Sequence, residues 1–171
     1  MIFIDGSNIF HGTRSYKEQI QGDFKIDYTK LVQHVLKGRT LIRSMYFCSS
    51  PVANINPSQL KFHEYLRHCN VQVVERKLKQ RQKTDGSVFD IEKGVDVALA
   101  TELIGMAWEN AYDVAVLVSG DGDYEGAVKR VMQKGKNVEV VAFRNSCSKD
   151  LKDAAIQVTY IEDIASLVKK V

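Results

Sequence analysis

The chain of 171 residues is 44% hydrophobic and 26% charged, a composition that suffices for one domain with a full core and excludes global disorder. Its formal net charge of +3 permits a polyanionic partner without requiring one. Three scattered cysteines, Cys48, Cys69 and Cys147, include no CxxC pair, which indicates free structural thiols in a reduced compartment. Because the sequence shows neither a leader pattern nor a run of transmembrane length, we expect a cytoplasmic protein without membrane contacts.

Strand-like apolar runs alternate with helical patterns along the chain. The predicted strands are residues 1–4, 41–48, 71–74, 114–118, 138–143 and a short one near 158–160. The predicted helices begin after Asp27, at Pro57, at Val95, near Tyr124 and at Ile161. A polar stretch without predicted structure follows the first strand. The alternation predicts an α/β, Rossmann-like single domain over residues 1–171, with a mostly parallel sheet of order 3-2-1-4-5 and helices on both faces.

Four acidic residues lie next to the first and fourth predicted strands. Asp5 directly follows the first strand, and Asp96 begins the helix that leads into the fourth. Asp121 and Asp123 follow the fourth strand in a Gly-rich turn. In a doubly wound sheet these two strands are neighbours, and ligands bind outside their carboxyl ends. We therefore expect Asp5, Asp96 and Asp121 to converge at that edge of the sheet.

Each of these carboxylates alone could be a turn former or a helix cap, and Ser7 or Asn8 could cap a helix after the first strand. However, two carboxylates within three residues exceed what one helix start needs. If three converge without a partner, like-charge repulsion raises a pKa and lowers stability, and a bound Mg²⁺ or Mn²⁺ removes that penalty. The pattern therefore predicts a divalent-metal site with Asp, Asn and Ser oxygens around it.

No other catalytic pattern competes with this cluster. The sequence contains no GxSxG, Walker or HExxH motif. The four histidines, His11, His34, His63 and His68, lie in helical or loop segments without a partner motif. We therefore interpret them as ordinary surface or half-buried histidines.

A basic segment provides the second functional signal. Its basic residues are Arg76, Lys77, Lys79, Arg81 and Lys83. The last four alternate, so an extended strand would place them on one face. The dipeptide at 85–86 is Asp-Gly, a strong hairpin turn, and residues 87–91 could return alongside. We interpret the segment as a basic ribbon that guides a phosphate backbone toward the acidic site, although exposed ribbons also carry charge for solvation alone.

Three motifs resemble those of the NYN domain proteins: DGSN at 5–8, KGVD at 93–96 and SGDGDY at 119–124. That family is a branch of the PIN-like nuclease superfamily and includes the LabA-like bacterial proteins. The resemblance spans residues 5 to about 143. It implies a Rossmann-like sheet and an acidic pocket that binds Mg²⁺ or Mn²⁺ for phosphodiester hydrolysis, mostly of RNA.

The same resemblance implies roles for individual residues. The implied catalytic residues are Asp5, Asn8, Asp96, Asp121 and Asp123, the implied metal ligands are Asp5, Asp96 and Asp121, and the supporting residues are Ser7, Ser119 and Lys93. The asparagine would orient a metal-bound water or the scissile phosphate. The lysine could meet a phosphate, and the basic segment would bind RNA.

We therefore expect a Mg²⁺- or Mn²⁺-dependent endoribonuclease that leaves 5′-phosphate and 3′-hydroxyl ends. Two alternatives stay open: a non-catalytic RNA-binding or regulatory module that retains the acidic pocket, and an adaptor that acts through protein contacts as a homodimer. A phosphotransferase of the haloacid dehalogenase type also has an aspartate after its first strand. That chemistry needs a second aspartate two residues later, where this chain has Ser7.

Overall fold

A computed structural model of the protein describes residues 1–51, 56–82, 88–91 and 94–170, and for 79–82 and 88–91 it describes the backbone alone. The strands are β1 (Ile2–Asp5), β2 (Ser44–Ser50), β3 (Val71–Lys77), β4 (Lys79–Gln82), β5 (Val88–Ile91), β6 (Val114–Val118), β7 (Asn137–Ala142) and β8 (Gln157–Tyr160). The helices are α1 (Gly6–Ile20), α2 (Tyr28–Leu36), α3 (Pro57–His68), α4 (Val95–Trp108), α5 (Glu125–Gln133), α6 (Lys149–Ala154) and α7 (Ala165–Val168). Among these described helices, none is both long enough and apolar enough to cross a membrane.

Six of the strands form one sheet in the order β3-β2-β1-β6-β7-β8, and every neighbouring pair is parallel. Near the carboxyl end of β1, Ile4 pairs with Val118 of β6. Because winding reverses between β1 and β6, a crevice opens beyond their carboxyl ends. The predicted α/β fold is confirmed, and β6 is the fourth strand of the predicted order. The short strand β8 adds a sixth position at the edge, next to β7.

Alternate residues of β1, β2, β6 and β7 enter two cores on opposite faces of the sheet. Phe3 of β1 shares one core with Leu99 of α4 and Val128 of α5. Ile4 shares the other core with Leu31 of α2 and with residues of α1 and α3. This division follows from the two-residue period of a strand, and full burial of each such side chain contributes about 1.5–3 kcal/mol. The predicted helices on both faces of the sheet are confirmed.

Helix α1 is absent from the predicted elements, because the sequence after the first strand is polar. Its buried residues are only Gly6, Ile9 and Gly12, too few apolar positions for a periodic signal. Gly12 lies against Phe143, and a Cβ at this glycine would come within 2.2 Å of the ring. The helix therefore packs its backbone directly on an aromatic ring instead of burying an apolar stripe.

The basic segment is divided between two sheets, whereas the sequence predicts one continuous ribbon. Strand β3 continues through Lys77 because β2 is long enough to pair with it there, at Ser50. The chain then enters β4, which pairs antiparallel with β5 as a separate two-stranded sheet. The predicted return strand over 87–91 is confirmed for Val88–Ile91, which form β5, and residue 87 lies outside the described residues. Lys83 and the predicted turn at 85–86 lie outside the described residues.

Candidate active site

Asp5 ends β1 and also caps α1. Its Oδ1 accepts a hydrogen bond from the backbone N–H of Asn8 at 3.0 Å, which satisfies a donor that a helix start leaves free. Gly6 permits the tight connection, because a Cβ there would lie 2.6 Å from the ring of Tyr46. The cap is therefore Asp5 rather than Ser7 or Asn8, and the residue is only 2% exposed.

The second oxygen of Asp5 is held by two hydroxyl groups that follow β6. Ser119 Oγ donates to Asp5 Oδ2 at 3.1 Å, and the Tyr124 hydroxyl lies 3.3 Å from the same atom. Ser119 is buried and also accepts a hydrogen bond from the N–H of Asp121 at 3.1 Å. Three donors thus fix the Asp5 carboxylate at the point where β1 and β6 end.

Tyr124 joins Asp5 to Asp96. Its hydroxyl oxygen lies 3.1 Å from Asp96 Oδ1 and 3.3 Å from Asp5 Oδ2, so one hydroxyl proton faces two carboxylates. Asp96 lies in the first turn of α4, and the cap of that helix is Gly94, at φ 84° and without a side-chain hydrogen bond. The carboxylate of Asp96 is therefore not used as a helix cap and is available to the site.

Asp121 enters the site from the turn after β6. Its Oδ1 accepts a hydrogen bond from the N–H of Asp123 at 3.0 Å and caps a short 3₁₀ turn over Gly122–Tyr124. Asp123, expected as a further acidic member of the site, is exposed and does not line the cavity described below. Since Asp121 already caps this turn, the carboxylate of Asp123 is not needed as a cap.

Asn8 ties α1 to the turn after β6. Its Oδ1 accepts a hydrogen bond from the N–H of Gly120 at 3.0 Å. Only glycine fits at position 120, because a Cβ there would lie 2.2 Å from the carbonyl oxygen of Ser146. With its carbonyl oxygen bound to the turn, Asn8 offers its amide NH₂ to a ligand.

These residues surround a cavity of about 510 Å³ at the carboxyl ends of β1 and β6. The lining residues are Asp5, Ser7, Asn8, His11, Gly12, Ser15, Asp96, Asp121, Asn145 and Ser146. The structure thus brings Asp5, Asp96 and Asp121 to one cavity. Ser119 is bonded to Asp5 without being part of the lining, and Lys93 lies outside the described residues.

The wall of the cavity that α1 provides is not predicted from the sequence, because α1 itself is not among the predicted helices. Ser7, His11 and Ser15 are spaced four residues apart, so they lie on one face of α1, and all three line the cavity. This polar stripe becomes visible in the sequence only once the segment is recognised as helical. Asn145 follows β7 and carries no motif that marks it as a site residue.

The cavity is acidic, and its electrostatics follow from burial. Burial raises the pKa of Asp5 above its ordinary value, the hydrogen bond from the Asn8 N–H opposes that shift, and the negative charge of Asp96 adds to it. Burial and the two carboxylates also raise the pKa of Tyr124 far above its ordinary value, so its hydroxyl stays protonated. In the part of the chain that the structure describes, no lysine or arginine lines this cavity.

The donor set of the cavity fits a hard divalent cation. Carboxylate, amide and hydroxyl oxygens are the ligands that Mg²⁺ and Mn²⁺ take in proteins. Among the described residues, the oxygens of Asp5, Asp96 and Asp121 do not all lie within 4.8 Å of one another. Mg²⁺ commonly keeps several waters and uses only one or two direct carboxylates, so the site does not require all three carboxylates to meet at this distance.

Two of the predicted RNA-binding residues have described side chains, and both lie at the edge of the sheet that carries the cavity. Arg76 and Lys77 are exposed at the carboxyl end of β3, two strands from β1. Since parallel strands end at one edge, these residues and the cavity share that edge. Lys79 and Arg81 are described by their backbone in β4, and Lys83 lies outside the described residues. RNA binding by this segment stays a prediction.

The comparisons with known proteins cover nearly the whole chain. The sequence model of the NYN domain matches residues 1–162. Low amplitude and bright protein LabA from Synechococcus elongatus is 24% identical over 172 residues, which are 99% of this chain and 87% of that protein. The crystal structure of VPA0982 from Vibrio parahaemolyticus, a protein of unknown function, matches with a TM-score of 0.76 and 25% identity, over 99% of this chain and 94% of that chain.

Proposed function

The chain belongs to the NYN domain family, and from that premise we propose that it is a metal-dependent ribonuclease. The observation that carries the proposal is the meeting of Asp5 and Asp96 at the hydroxyl of Tyr124, in an acidic cavity where the winding of the sheet reverses. Carboxylates gathered at such a crevice favour a divalent cation as their partner. The place of the family among PIN-like nucleases supports RNA phosphodiesters as the substrate.

In this proposal Asp5, Asp96 and Asp121 hold Mg²⁺ or Mn²⁺. Such an ion, when bound, lowers the pKa of a water and stabilises the charge on the attacked phosphate. The three hydrogen-bond donors to Asp5 keep its carboxylate in place before the ion arrives. Rigid placement of this kind is what a catalytic constellation requires.

Polar side chains of the cavity other than its carboxylates would position the RNA. Asn8 offers its amide NH₂, and His11 and Asn145 line the same space. Donors of this kind bind phosphate oxygens and hold the scissile bond in line for attack. Because Arg76 and Lys77 are exposed at the same edge, they would contact the RNA backbone farther along the strand, and their contribution would weaken as salt increases.

A second candidate is a non-catalytic RNA-binding module that retains the acidic cavity. The observation that favours it is again Tyr124, whose hydroxyl supplies a hydrogen bond between the two carboxylates without any metal. A cavity stabilised in that way could persist after activity is lost. The two candidates differ in whether RNA is cut and whether binding depends on the ion.

The test is a cleavage assay on end-labelled single-stranded RNA with Mn²⁺, Mg²⁺ or EDTA. The wild type is compared with Asp96→Asn, which retains an oxygen acceptor for Tyr124 but removes the charge. Glu109→Gln is the matched control, because it removes a carboxylate just beyond the opposite end of α4, about 20 Å from Asp96 along the helix axis.

We expect cleavage by the wild type and by Glu109→Gln in either metal, none in EDTA, and a loss of at least about 100-fold in Asp96→Asn. The products should carry 5′-phosphates and 3′-hydroxyls. Equal cleavage by Asp96→Asn and the wild type would contradict the site. RNA binding that persists in EDTA, without cleavage in any metal, would favour the second candidate.

A further inference from the structure

A second cluster of ligand-type side chains lies on the face of the sheet that α3 covers. Cys48 of β2 and Glu75 of β3 are paired in register, so their side chains project from the same face of the sheet. His63 of α3 packs over them. Cys48 is 8% exposed and His63 2%, so the thiol and the imidazole are both held away from bulk water.

The three side chains form a continuous chain of contacts. Cys48 Sγ lies 3.6 Å from His63 Nε2, and His63 Nδ1 lies 3.1 Å from Glu75 Oε1. A sulfur, a ring nitrogen and a carboxylate oxygen of these residues all lie within 4.8 Å of one another. Among the described residues, no other three His, Cys, Asp and Glu side chains meet that criterion.

We propose that Cys48 and His63 hold a transition-metal ion of the Zn²⁺ class, with Glu75 behind the histidine as a positioning residue, at a site separate from the acidic cavity. Thiolate sulfur and imidazole nitrogen are the donors that Zn²⁺ prefers over Mg²⁺ or Mn²⁺. Zn–S and Zn–N bonds of about 2.3 and 2.0 Å in a tetrahedron separate sulfur from nitrogen by about 3.5 Å. The observed separation of 3.6 Å between Cys48 Sγ and His63 Nε2 already matches that edge.

Glu75 is the positioning residue of this site. Because its Oε1 can only accept, it favours the tautomer in which His63 Nδ1–H donates a hydrogen bond to it and the lone pair of Nε2 is directed toward Cys48. The carboxylate is itself held by the hydroxyl of Ser50, to which Gln59 Nε2 donates at 3.1 Å. The ring orientation and tautomer that a metal needs are therefore set before the metal binds.

A cavity gives the ion access and leaves room for further ligands. Cys48 and His63 line a space of about 710 Å³ under α3, together with the rings of Tyr28, Tyr46 and Phe62. On binding, the ion replaces the proton of the Cys48 thiol, which leaves to solvent, and forms bonds to the thiolate sulfur and to His63 Nε2. The cavity leaves room for the water or small ligand that would complete the coordination of the ion.

The test is a titration of the reduced full-length protein with Co²⁺, in excess Mg²⁺ that supplies the acidic cavity. Thiolate coordination to Co²⁺ gives a charge-transfer band in the near-ultraviolet, and Zn²⁺ should then displace the Co²⁺ and remove the band. The variants are Cys48→Ser, His63→Gln and Glu75→Gln. Cys69→Ser is the matched control, because Cys69 is a thiol at the end of α3 outside the cluster.

We expect a band that saturates at one Co²⁺ per chain in the wild type and in Cys69→Ser. Cys48→Ser should abolish it, His63→Gln should weaken Co²⁺ binding at least tenfold, and Glu75→Gln should weaken it by about 10- to 100-fold. A wild type without the band, or a band that persists in Cys48→Ser, overturns the proposal.

A second measurement needs no variant, in case one of them does not fold. Alkylation of Cys48 by iodoacetamide is followed by mass spectrometry in the wild type, with and without Zn²⁺. The proposal requires Zn²⁺ to slow alkylation of Cys48 at least tenfold relative to Cys69. Equal rates with and without the metal overturn it.

Discussion

Two groups of ligand-type side chains lie on one sheet and differ in their donor atoms and in how the chain assembles them. The acidic cavity presents carboxylate, amide and hydroxyl oxygens beyond the ends of β1 and β6. The Cys48–His63–Glu75 cluster presents sulfur and nitrogen under α3, partway along β2 and β3. Oxygen donors suit hard cations that keep their waters, and thiolate and imidazole suit Zn²⁺. This difference in donor atoms is the basis on which we propose a separate class of metal for each region.

The two regions also differ in what the sequence reveals. The carboxylates of the cavity lie at the end of a strand, shortly after one, or in the first turn of a helix, and each belongs to a short glycine-containing motif. The Cys48–His63–Glu75 cluster arises from the register between β2 and β3 and from one residue on the helix that covers them. No local motif encodes a register, so a site of this second kind becomes visible only in three dimensions.

The largest effect should come from Asp121→Asn, which tests whether the acidic cavity is the catalytic region. Asparagine retains an Oδ1 that accepts from the N–H of residue 123, so the turn should keep its shape. Loss of a charge that holds the ion should lower the rate of RNA cleavage by about 100- to 1000-fold. Initial cleavage rates at saturating Mn²⁺ check this, together with a melting curve. An unchanged rate in a folded variant would remove Asp121 from the site.

Metal binding should stabilise the folded protein, and the rise in Tm should be smaller in a variant that lacks one carboxylate of the cavity. At a Mn²⁺ concentration of about 100 Kd, binding contributes about 2.7 kcal/mol to stability, or roughly 5–10 °C in Tm for a chain of this size. The shift in Asp96→Asn should be less than half of that. Thermal melts in EDTA and over a Mn²⁺ series measure both proteins. Equal shifts in the two would place the bound ion elsewhere.

Tyr124→Phe tests how much the Tyr124 hydroxyl stabilises the paired carboxylates of Asp5 and Asp96 when no metal is bound. The residue is 1% exposed, so phenylalanine fits, but Asp5 and Asp96 lose their common donor. We expect a loss of about 1 kcal/mol in the free energy of unfolding in EDTA, and a smaller loss in Mn²⁺. Urea denaturation under both conditions gives the values. A loss that is larger with Mn²⁺ than without it would contradict a shared role for hydroxyl and ion.

The smallest effect should be a pH dependence from Asp5. Burial raises the pKa of this carboxyl in the folded protein, so the folded state binds more protons than the unfolded state between the two pKa values. Without metal, stability should therefore fall as the pH rises from the ordinary pKa of aspartate through the raised folded value. Asp5→Asn lacks this titration, so the stability of the wild type relative to this variant should decline over the same window.

Urea denaturation in EDTA at a series of pH values measures that difference. The comparison with Asp5→Asn is needed because the N-terminal amine, whose pKa burial lowers to about 6, titrates in both proteins. A difference that does not change with pH would show that Asp5 is not destabilised by its surroundings. Added Mn²⁺ should reduce the trend, because the ion offsets the charge of the carboxylate.

Much of the fold follows from the sequence because its strands are apolar and its helix signals are local. The apolar run at 114–118 and the helix from Val95 carry strong patterns, and α2 begins directly after Asp27 as predicted, with the Asp27 side chain as its cap. Helix α1 could not be found in this way, because it packs through Gly6 and Gly12. A helix that packs through glycines lacks the regularly spaced apolar residues by which an amphipathic helix is predicted.

The site was predictable to the extent that topology decides it. Asp5 and Asp121 follow adjacent strands, so the predicted strand order was enough to place them together. The hydrogen bonds of Tyr124 to Asp5 and Asp96 were not predictable, because the sequence pattern also fits Tyr124 as an ordinary residue on the apolar face of a helix. Likewise, the exposure of Asp123 follows from which of two nearby carboxylates caps the turn, and both are equally good caps by type.

The most direct measurement for the acidic cavity is anomalous X-ray diffraction from crystals of the wild type grown with Mn²⁺. The account predicts a manganese peak within bonding distance of oxygens of Asp5, Asp96 or Asp121, and its loss in crystals of Asp96→Asn. No peak in the cavity at saturating Mn²⁺, or a peak that survives unchanged in Asp96→Asn, would contradict the claim that these carboxylates hold the catalytic ion.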